Sequence, residues 1–383
     1  MVTPQAQARC FSDQARPGQQ RAKSLRATES GAVAEGGRAI RRVGKRRMKI
    51  TVILCTYNRC LSLGKTLESI AASTCPGWID WGVLVVDNNS KDQTRAVVED
   101  FCRRYPDRFR YVFEPQQGKS YALNAGIREA RGDVLAFTDD DVTFEPTWLQ
   151  NLTDPLRDGI WAGVGGRTVL AEPFCPPRWL PLGEPDSFEV LAASFDRGPE
   201  PCELREAPYG ANMAFRKEMF LKYGGFRTDL GPRPGSQVRD EDTEFGRRLL
   251  AAGERLRYEP TAVAYHPLQK ERVSKRHLLA WWFDYGRATV RQWTRKPDVW
   301  GIPRHYLSIL NMMGICLPQR IFRWMCAADP RRRFANKCWV WSVAGQILES
   351  YRLGRETKPQ EAESRRKAEL RCNAQPNGRT EAS

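Results

Sequence analysis

Between residues 49 and 141 short apolar runs alternate with amphipathic stripes, and this alternation limits the possible folds more than any single motif does. Lys49-Ile-Thr-Val-Ile-Leu-Cys55 is β-rich and apolar almost throughout, the pattern of a strand covered on both faces. Leu61, Leu63, Leu67 and Ile70 then recur at helical spacing and predict a helix over about 61–73. The cycle repeats: a strand to residue 86, a helix over 92–104, a strand over 109–113, a helix opening at Gly118, and a strand from Val134. Such alternation predicts an α/β, Rossmann-like, mainly parallel sheet with flanking helices. Sheets of this kind bind ligands beyond the carboxyl ends of their strands. Thr56–Arg59, Asp87–Asp92 and Asp139–Asp141 all fall at those ends. No GxGxxG follows the first strand and no GxxxxGK[ST] loop occurs, which sets aside dinucleotide-binding and P-loop readings.

The fourth strand ends abruptly in three consecutive carboxylates, Asp139, Asp140 and Asp141. Burying them together without a counter-charge is costly, because each loses hydration and repels its neighbours. A divalent cation such as Mg²⁺ or Mn²⁺ removes that conflict and can in turn hold a diphosphate. Asp139 and Asp141, two apart, project to the same side of a strand. Taken alone, the run equally describes a solvated turn capping a helix near Pro146.

Charge and cysteine content bound the rest. The net charge is +16, but residues 1–47 carry 11 Lys or Arg against three Asp or Glu, a net +8. That segment has no apolar periodicity and reads as a disordered basic extension without the apolar centre of a secretory signal. Met48 directly precedes the first strand and is a second candidate start for the chain. The basic segment is the only support for nucleic-acid binding, and no RNA or DNA motif accompanies it. Eleven cysteines contain no CxxC pair, which fits a reducing, cytoplasmic compartment. Three histidines exclude a His-rich metal site.

Six elements in order are similar to glycosyltransferase family 2, whose members have the GT-A fold and transfer sugars from nucleotide donors. They are Thr56-Tyr-Asn-Arg59, Asp87-Asn-Asn-Ser90, Gly118-Lys-Ser-Tyr-Ala-Leu-Asn124, Asp139–Asp141, Gly210-Ala-Asn-Met213 and Glu241-Asp242. The resemblance covers roughly residues 49–290. It implies an inverting transfer with Asp242 as the catalytic base, since a carboxylate must take the proton of the attacking hydroxyl. Donor binding falls to Thr56, Tyr57, Arg59, Asp87, Asn89, Lys119, Asn124, Asp139 and Asp140, with Asp87 meeting the nucleobase, typically uracil, and Lys119 with Ser120 the phosphates. Asp141, Asp139 and His266 are the implied ligands of a Mg²⁺ or Mn²⁺ ion bridging those phosphates. Gly210, Asn212 and Glu241 border the sugar and acceptor. Each has a plainer reading: Asp87 as a turn cap, Lys119 as a solvated cation, Asp242 as a helix-start carboxylate, His266 as a structural residue.

The expected organisation is a catalytic domain over 48–275, with nucleotide binding in 48–142 and the acceptor part in 143–275. A Pro-rich loop over 171–206, a helical appendage over 276–354 and a disordered tail over 355–383 complete it. The appendage is rich in Trp and Arg, and its apolar segments are too short to span a bilayer. That composition suits a peripheral contact with the cytoplasmic face of a membrane, packing on the catalytic domain, or an oligomer interface. A lipid-linked or glycan acceptor follows by analogy. The chain departs from the family's processive synthases: it has no channel-forming helices, and Trp281-Trp-Phe-Asp-Tyr285 stands where QxxRW is expected. A single-sugar transferase is the reading that results. Its rivals are nucleotidyl transfer, which lacks its Gly-rich signature here, and an inactive binding protein on the same fold, which would have lost the base.

Overall fold

Strand residues alternate between two hydrophobic cores, one on each side of a central sheet. In the computed structural model, which describes residues 47–181, 191, 193–293 and 304–373, β1 (Met48–Thr56), β2 (Ile79–Asp87), β3 (Phe109–Phe113) and β4 (Val134–Thr138) lie parallel in the order β3-β2-β1-β4. Val52, Leu54, Val83 and Val85 face α1 (Cys60–Ala71) and α2 (Thr94–Arg104), meeting Leu63, Leu67, Ile70, Val98 and Phe101. Ile53, Leu84 and Val86 face the other way, toward Ala122, Leu123 and Ala125 of α3 (Lys119–Glu129). Burial on both faces is why these strands read as unbroken apolar runs.

Beyond β4 the sheet is mixed. The later elements are β5 (Thr143–Phe144), α4 (Trp148–Thr153), β6 (Gly163–Leu170), β7 (Cys202–Leu204), β8 (Met213–Arg216), α5 (Lys217–Tyr223), α6 (Glu241–Ala251) and β9 (Leu256–His266). β8 runs antiparallel to both β4 and β6, β9 is parallel to β6, and β5 and β7 add antiparallel to β9. The parallel character expected from the sequence is therefore complete only in the first four strands. β7 and β8 are short and have no alternating pattern, so the sequence does not announce them; β7 falls within the Pro-rich stretch. Residues 182–190 and 192 of that stretch, like residues 1–46, lie outside the described residues.

The C-terminal part consists of α7 (Lys275–Trp293), α8 (Arg304–Asn311), a π turn (Met312–Cys316), α9 (Leu317–Cys326) and α10 (Pro330–Asn373). At the crossing of α7 and α10 the backbones touch: a Cβ on Gly286 would lie 1.9 Å from the Ser342 carbonyl oxygen, and one on Gly345 2.0 Å from that of Phe283. Only glycine permits this approach. Beside it, Glu349 of α10, 1% exposed, pairs with Arg287 and Arg291 of α7 at 2.8 and 2.6 Å. On its other side α7 packs Ala288 against Leu230 and Val238. Residues 355–373, expected as a disordered tail, continue α10 instead, consistent with a composition of Glu, Ala, Arg, Lys and Leu that favours helix; 374–383 lie outside the described residues. No helix among the described residues is long and apolar enough to cross a membrane.

Candidate active site

Register brings the polar motifs together. Thr56 at the end of β1 pairs with Asp87 at the end of β2, and Leu54 pairs with Thr138, so the Asp139–Asp141 run leaves the same sheet edge. Thr143 pairs with Tyr265, which sets Asp141 beside His266 at the end of β9: His266 Nε2 is 3.7 Å from Asp141 Oδ1. The antiparallel pairing of β4 with β8, Phe137 opposite Met213, carries the Gly210 loop alongside the carboxylates. On α6, Glu241, Phe245 and Leu249 are four apart and all buried, so the apolar anchoring of Phe245 among Phe215, Phe220 and Phe226 turns Glu241 inward.

Two adjoining cavities result. The first, about 430 Å³, is lined by Thr56, Tyr57, Arg59 and Lys119, by all three carboxylates of the run, and by His266. Arg233, Arg239 and Arg272 face it as well, and neither they nor Arg59 form an ion pair with a carboxylate among the described residues. Lys119 Nζ sits 2.7 Å from Asp139 Oδ1 and 3.7 Å from Glu241 Oε1. Burial alone would lower the Lys119 pKa, but the Asp139 and Glu241 charges override it and hold the ammonium above its ordinary range. Burial alone would raise Asp139; the Lys119 ammonium instead holds its carboxyl below the usual value. Asp140 has no such partner and is pushed up to about 7 by burial and by the neighbouring Asp141 charge, against the opposing Thr56 hydroxyl and Arg59. For Arg272, burial and then the Arg239 charge lower the pKa.

The second cavity, about 510 Å³, shares Lys119, Asp139 and Arg239 with the first. Its floor is Gly210, Glu241 and Asp242, and its wall is aromatic: Trp281, Trp282 and Tyr285 from α7 and Trp339 from α10. Asp242 is fixed by three donors. Its Oδ2 accepts the Gly210 N–H at 2.6 Å, and its Oδ1 accepts the Thr243 N–H at 2.7 Å and hydroxyl at 3.2 Å. A Cβ at position 210 would lie 2.8 Å from Asp242 Oδ2, so the need for glycine comes from this carboxylate. Burial raises the Glu241 pKa, only partly offset by Lys119, and adjacent Asp242 adds to the rise.

Comparison with known proteins assigns this geometry to a family. The profile described as Glycosyl transferase family 2 matches residues 51–224. A glucosyl-dolichyl phosphate glucuronosyltransferase from Haloferax volcanii is 31% identical over 253 residues, covering 63% of this chain and 77% of that protein. The chain belongs to glycosyltransferase family 2. The succinoglycan biosynthesis protein ExoM of Rhizobium meliloti is likewise 31% identical, over 61% of the glycosyltransferase and 70% of the relative. Among solved structures, a mannosyltransferase from Pyrobaculum calidifontis in complex with GDP-Man and Mn²⁺ superposes with a TM-score of 0.51 at 20% identity, covering 79% of this chain and 87% of that one. That likeness establishes the GT-A fold.

Several motif residues of the glycosyltransferase serve the framework and do not line either cavity. Asp87 accepts the Ser90 N–H and the Tyr111 hydroxyl, both at 2.9 Å, and is buried. Asn89 bonds Lys91 and the Pro115 carbonyl. Asn124 clamps Phe226 through both its N–H and its carbonyl. Asn212 accepts from the Trp148 indole at 2.7 Å and donates to the Arg167 and Ala262 carbonyls. Ser120 donates to the Leu230 carbonyl. Asn88, not singled out in the sequence, lines the first cavity and shapes it: its side-chain Oδ1 accepts the Gly118 N–H at 2.7 Å. Arg239 and Arg272 were also missed; the available signal was their position directly before Asp240-Glu-Asp242 and six residues after His266.

The residues present fit a hard divalent cation in part. Among the described residues no cluster of three or more His, Cys, Asp and Glu is arranged around one point. Asp139 is paired with Lys119, which leaves Asp141 and His266, whose buried Nδ1 has no hydrogen-bond partner. One or two side-chain ligands completed by substrate phosphates is the usual way Mg²⁺ is held.

Proposed function

We propose that this glycosyltransferase moves one sugar from a nucleotide-diphosphate donor to an acceptor hydroxyl with inversion at the anomeric carbon. A UDP-sugar is the expected donor. A lipid-linked or cell-surface glycan precursor is the expected acceptor, at the cytoplasmic face of a membrane. The observation that carries this reading is the junction of the two cavities at Lys119, Asp139 and Arg239, with cations and clustered carboxylates on one side and a fixed carboxylate under an aromatic wall on the other.

In this reading the first cavity holds the donor. Thr56, Tyr57 and Arg59 border the nucleoside. Arg239 and Arg272 meet the diphosphate, a task suited to guanidinium groups without carboxylate partners. Asp141 and His266 would hold the Mg²⁺ or Mn²⁺ ion, which when bound withdraws charge from the phosphates. Asp242, in the second cavity, accepts the proton of the acceptor hydroxyl as that oxygen bonds to the anomeric carbon; the carbon–oxygen bond to the diphosphate breaks, and the nucleoside diphosphate leaves with the electron pair. Lys119, held between Asp139 and Glu241, keeps a positive charge where the leaving oxygen develops its negative one. The lipid acceptor is supported by the name of the archaeal relative, which acts on glucosyl-dolichyl phosphate.

The test is hydrolysis of a nucleotide-sugar panel by wild type, Asp141→Ala and Asp242→Asn, with Mn²⁺, Mg²⁺ or chelator. Slow release of one nucleoside diphosphate, abolished by chelator and by Asp141→Ala, is the expected result. Release that is indifferent to chelator and to Asp141 would refute the metal assignment. Absence of binding or hydrolysis for every donor would refute the donor site.

A further inference from the structure

The stretch from α8 to α9 presents an apolar face that nothing in the described chain covers. Leu310, Met313, Ile315, Phe322 and Met325 are 68, 56, 64, 67 and 71% exposed. Ile315, Pro318, Phe322 and Met325 follow one another at intervals of three or four, the spacing of a single helix face. Five large apolar side chains, each more than half exposed within 16 residues, form a patch of the kind that marks an interaction site.

The surrounding charge identifies the partner. Residues 317–348 contain six Lys or Arg and one acidic residue, Asp329, whose carboxylate is engaged by the Arg332 N–H at 2.8 Å. Arg323, Arg332 and Arg333 are exposed. An apolar helix face edged by arginine matches the boundary between headgroups and acyl chains of an anionic bilayer, where the rings and thioethers enter the acyl region and the guanidinium groups meet phosphate. A protein partner with an acidic rim is the competing occupant. The two occupants differ in what they bury, and vesicle binding against self-association tells them apart.

The face is also connected to the second cavity. Arg320 of α9 stacks on Trp339 at 4.8 Å, and Trp339 meets Trp282 at 5.0 Å; both tryptophans line that cavity. We infer that the α8–α9 segment is a membrane-docking element that inserts into the surface of an anionic bilayer, and that it joins that surface to the aromatic wall of the acceptor cavity. Its use in presenting a lipid-linked acceptor rests on the proposed transfer reaction. The docking itself does not.

The experiment is flotation of the full-length protein with phosphatidylcholine vesicles and with vesicles containing phosphatidylglycerol, comparing wild type with Phe322→Ser/Met325→Ser. This variant leaves every charge in place, including the +8 of residues 1–47. Both positions are exposed, so an unchanged thermal transition is expected. Wild type should float with the anionic vesicles and the variant should bind them about a hundredfold more weakly. Equal binding of the two proteins would overturn the inference, since attraction would then come from charge alone. Wild type that stays in the soluble fraction would overturn it too, as would a wild-type dimer converted to monomer by the variant without vesicle binding. Donor hydrolysis measured on the same samples without vesicles separates the two readings: its absence counts against the transfer reaction and leaves the flotation result standing.

Discussion

The two cavities meet at a few residues yet differ in how the chain builds them. The first is built largely on strand ends that are neighbours in a parallel sheet, so its three carboxylates, Arg59 and Lys119 come from short contiguous motifs at 55–59, 118–119 and 139–141. Of its ionisable residues only Arg233, Arg239, His266 and Arg272 reach it from later in the chain. The second draws on residues from Lys119 to Trp339, and its aromatic wall comes from two helices held together by the Gly286–Gly345 crossing. Contiguous motifs therefore encode most of the first cavity, proposed for the donor, whereas the shape of the second, proposed for the acceptor, is set by packing between distant elements.

If that division holds, changes on one side leave the other intact. The largest effect is expected for Asp242→Asn, which keeps an oxygen to accept the Gly210 N–H but cannot take a proton. Transfer to an acceptor should fall by about 10²–10⁴-fold, with donor affinity unchanged in a titration of the nucleotide sugar. A comparable loss of donor affinity would mean that the cavities act as one. Lys119→Met breaks the division from the middle. It leaves buried Glu241 and half-buried Asp139 without their cation, so unfolding by urea should cost about 1–3 kcal/mol less and donor binding should weaken as well. Trp281→Ala sharpens the division from the other side. Trp281 stacks on Tyr285 at 5.4 Å in the cavity wall, and its loss should raise the acceptor KM by up to about tenfold without altering the donor KM.

The sequence was most informative where structure is local. The first four strands, their helices and the carboxylates at their ends follow from periodicity and from where each apolar run stops. The mixed half of the sheet does not, because β7 and β8 are short and owe their placement to partners far along the chain. Motif spacing also identified residues without revealing where their side chains point. Asp87, Asn124 and Asn212 sit in family motifs, and their polar atoms hold Ser90 and Tyr111, Phe226, and Trp148 respectively. Arg233, Arg239 and Arg272 of the first cavity, unlike Arg59, remained unread for the opposite reason: in a chain with 61 Lys and Arg, a cation facing a site looks the same in sequence as one facing water.

The smallest expected effect tests how the second cavity balances its own charge. Asp240 precedes α6 in a left-handed conformation, φ 75°, and its Oδ2 accepts from the Gln292 amide at 3.2 Å. Burial, followed by the Asp242 charge, pushes its pKa from an ordinary 3.8 up to about 6, and Arg247, Gln292 and Arg239 offset only part of the rise. The folded chain thus holds this proton more tightly than the unfolded chain does. The associated stability is complete below about pH 4 and is lost as the pH rises through about 6, where the carboxylate ionises inside the fold. Asparagine has nearly the same shape, tolerates the left-handed region and still offers an oxygen to Gln292, but does not ionise. Asp240→Asn should therefore raise the melting temperature at pH 7.5, on the order of 2–4 °C, and leave it unchanged at pH 4. An equal shift at both pH values would trace the effect to packing or helix capping. A lower melting temperature at pH 7.5 would mean that the ionised carboxylate stabilises the fold through Arg247 and Arg239, making Asp240 a working member of the charge network around Asp242.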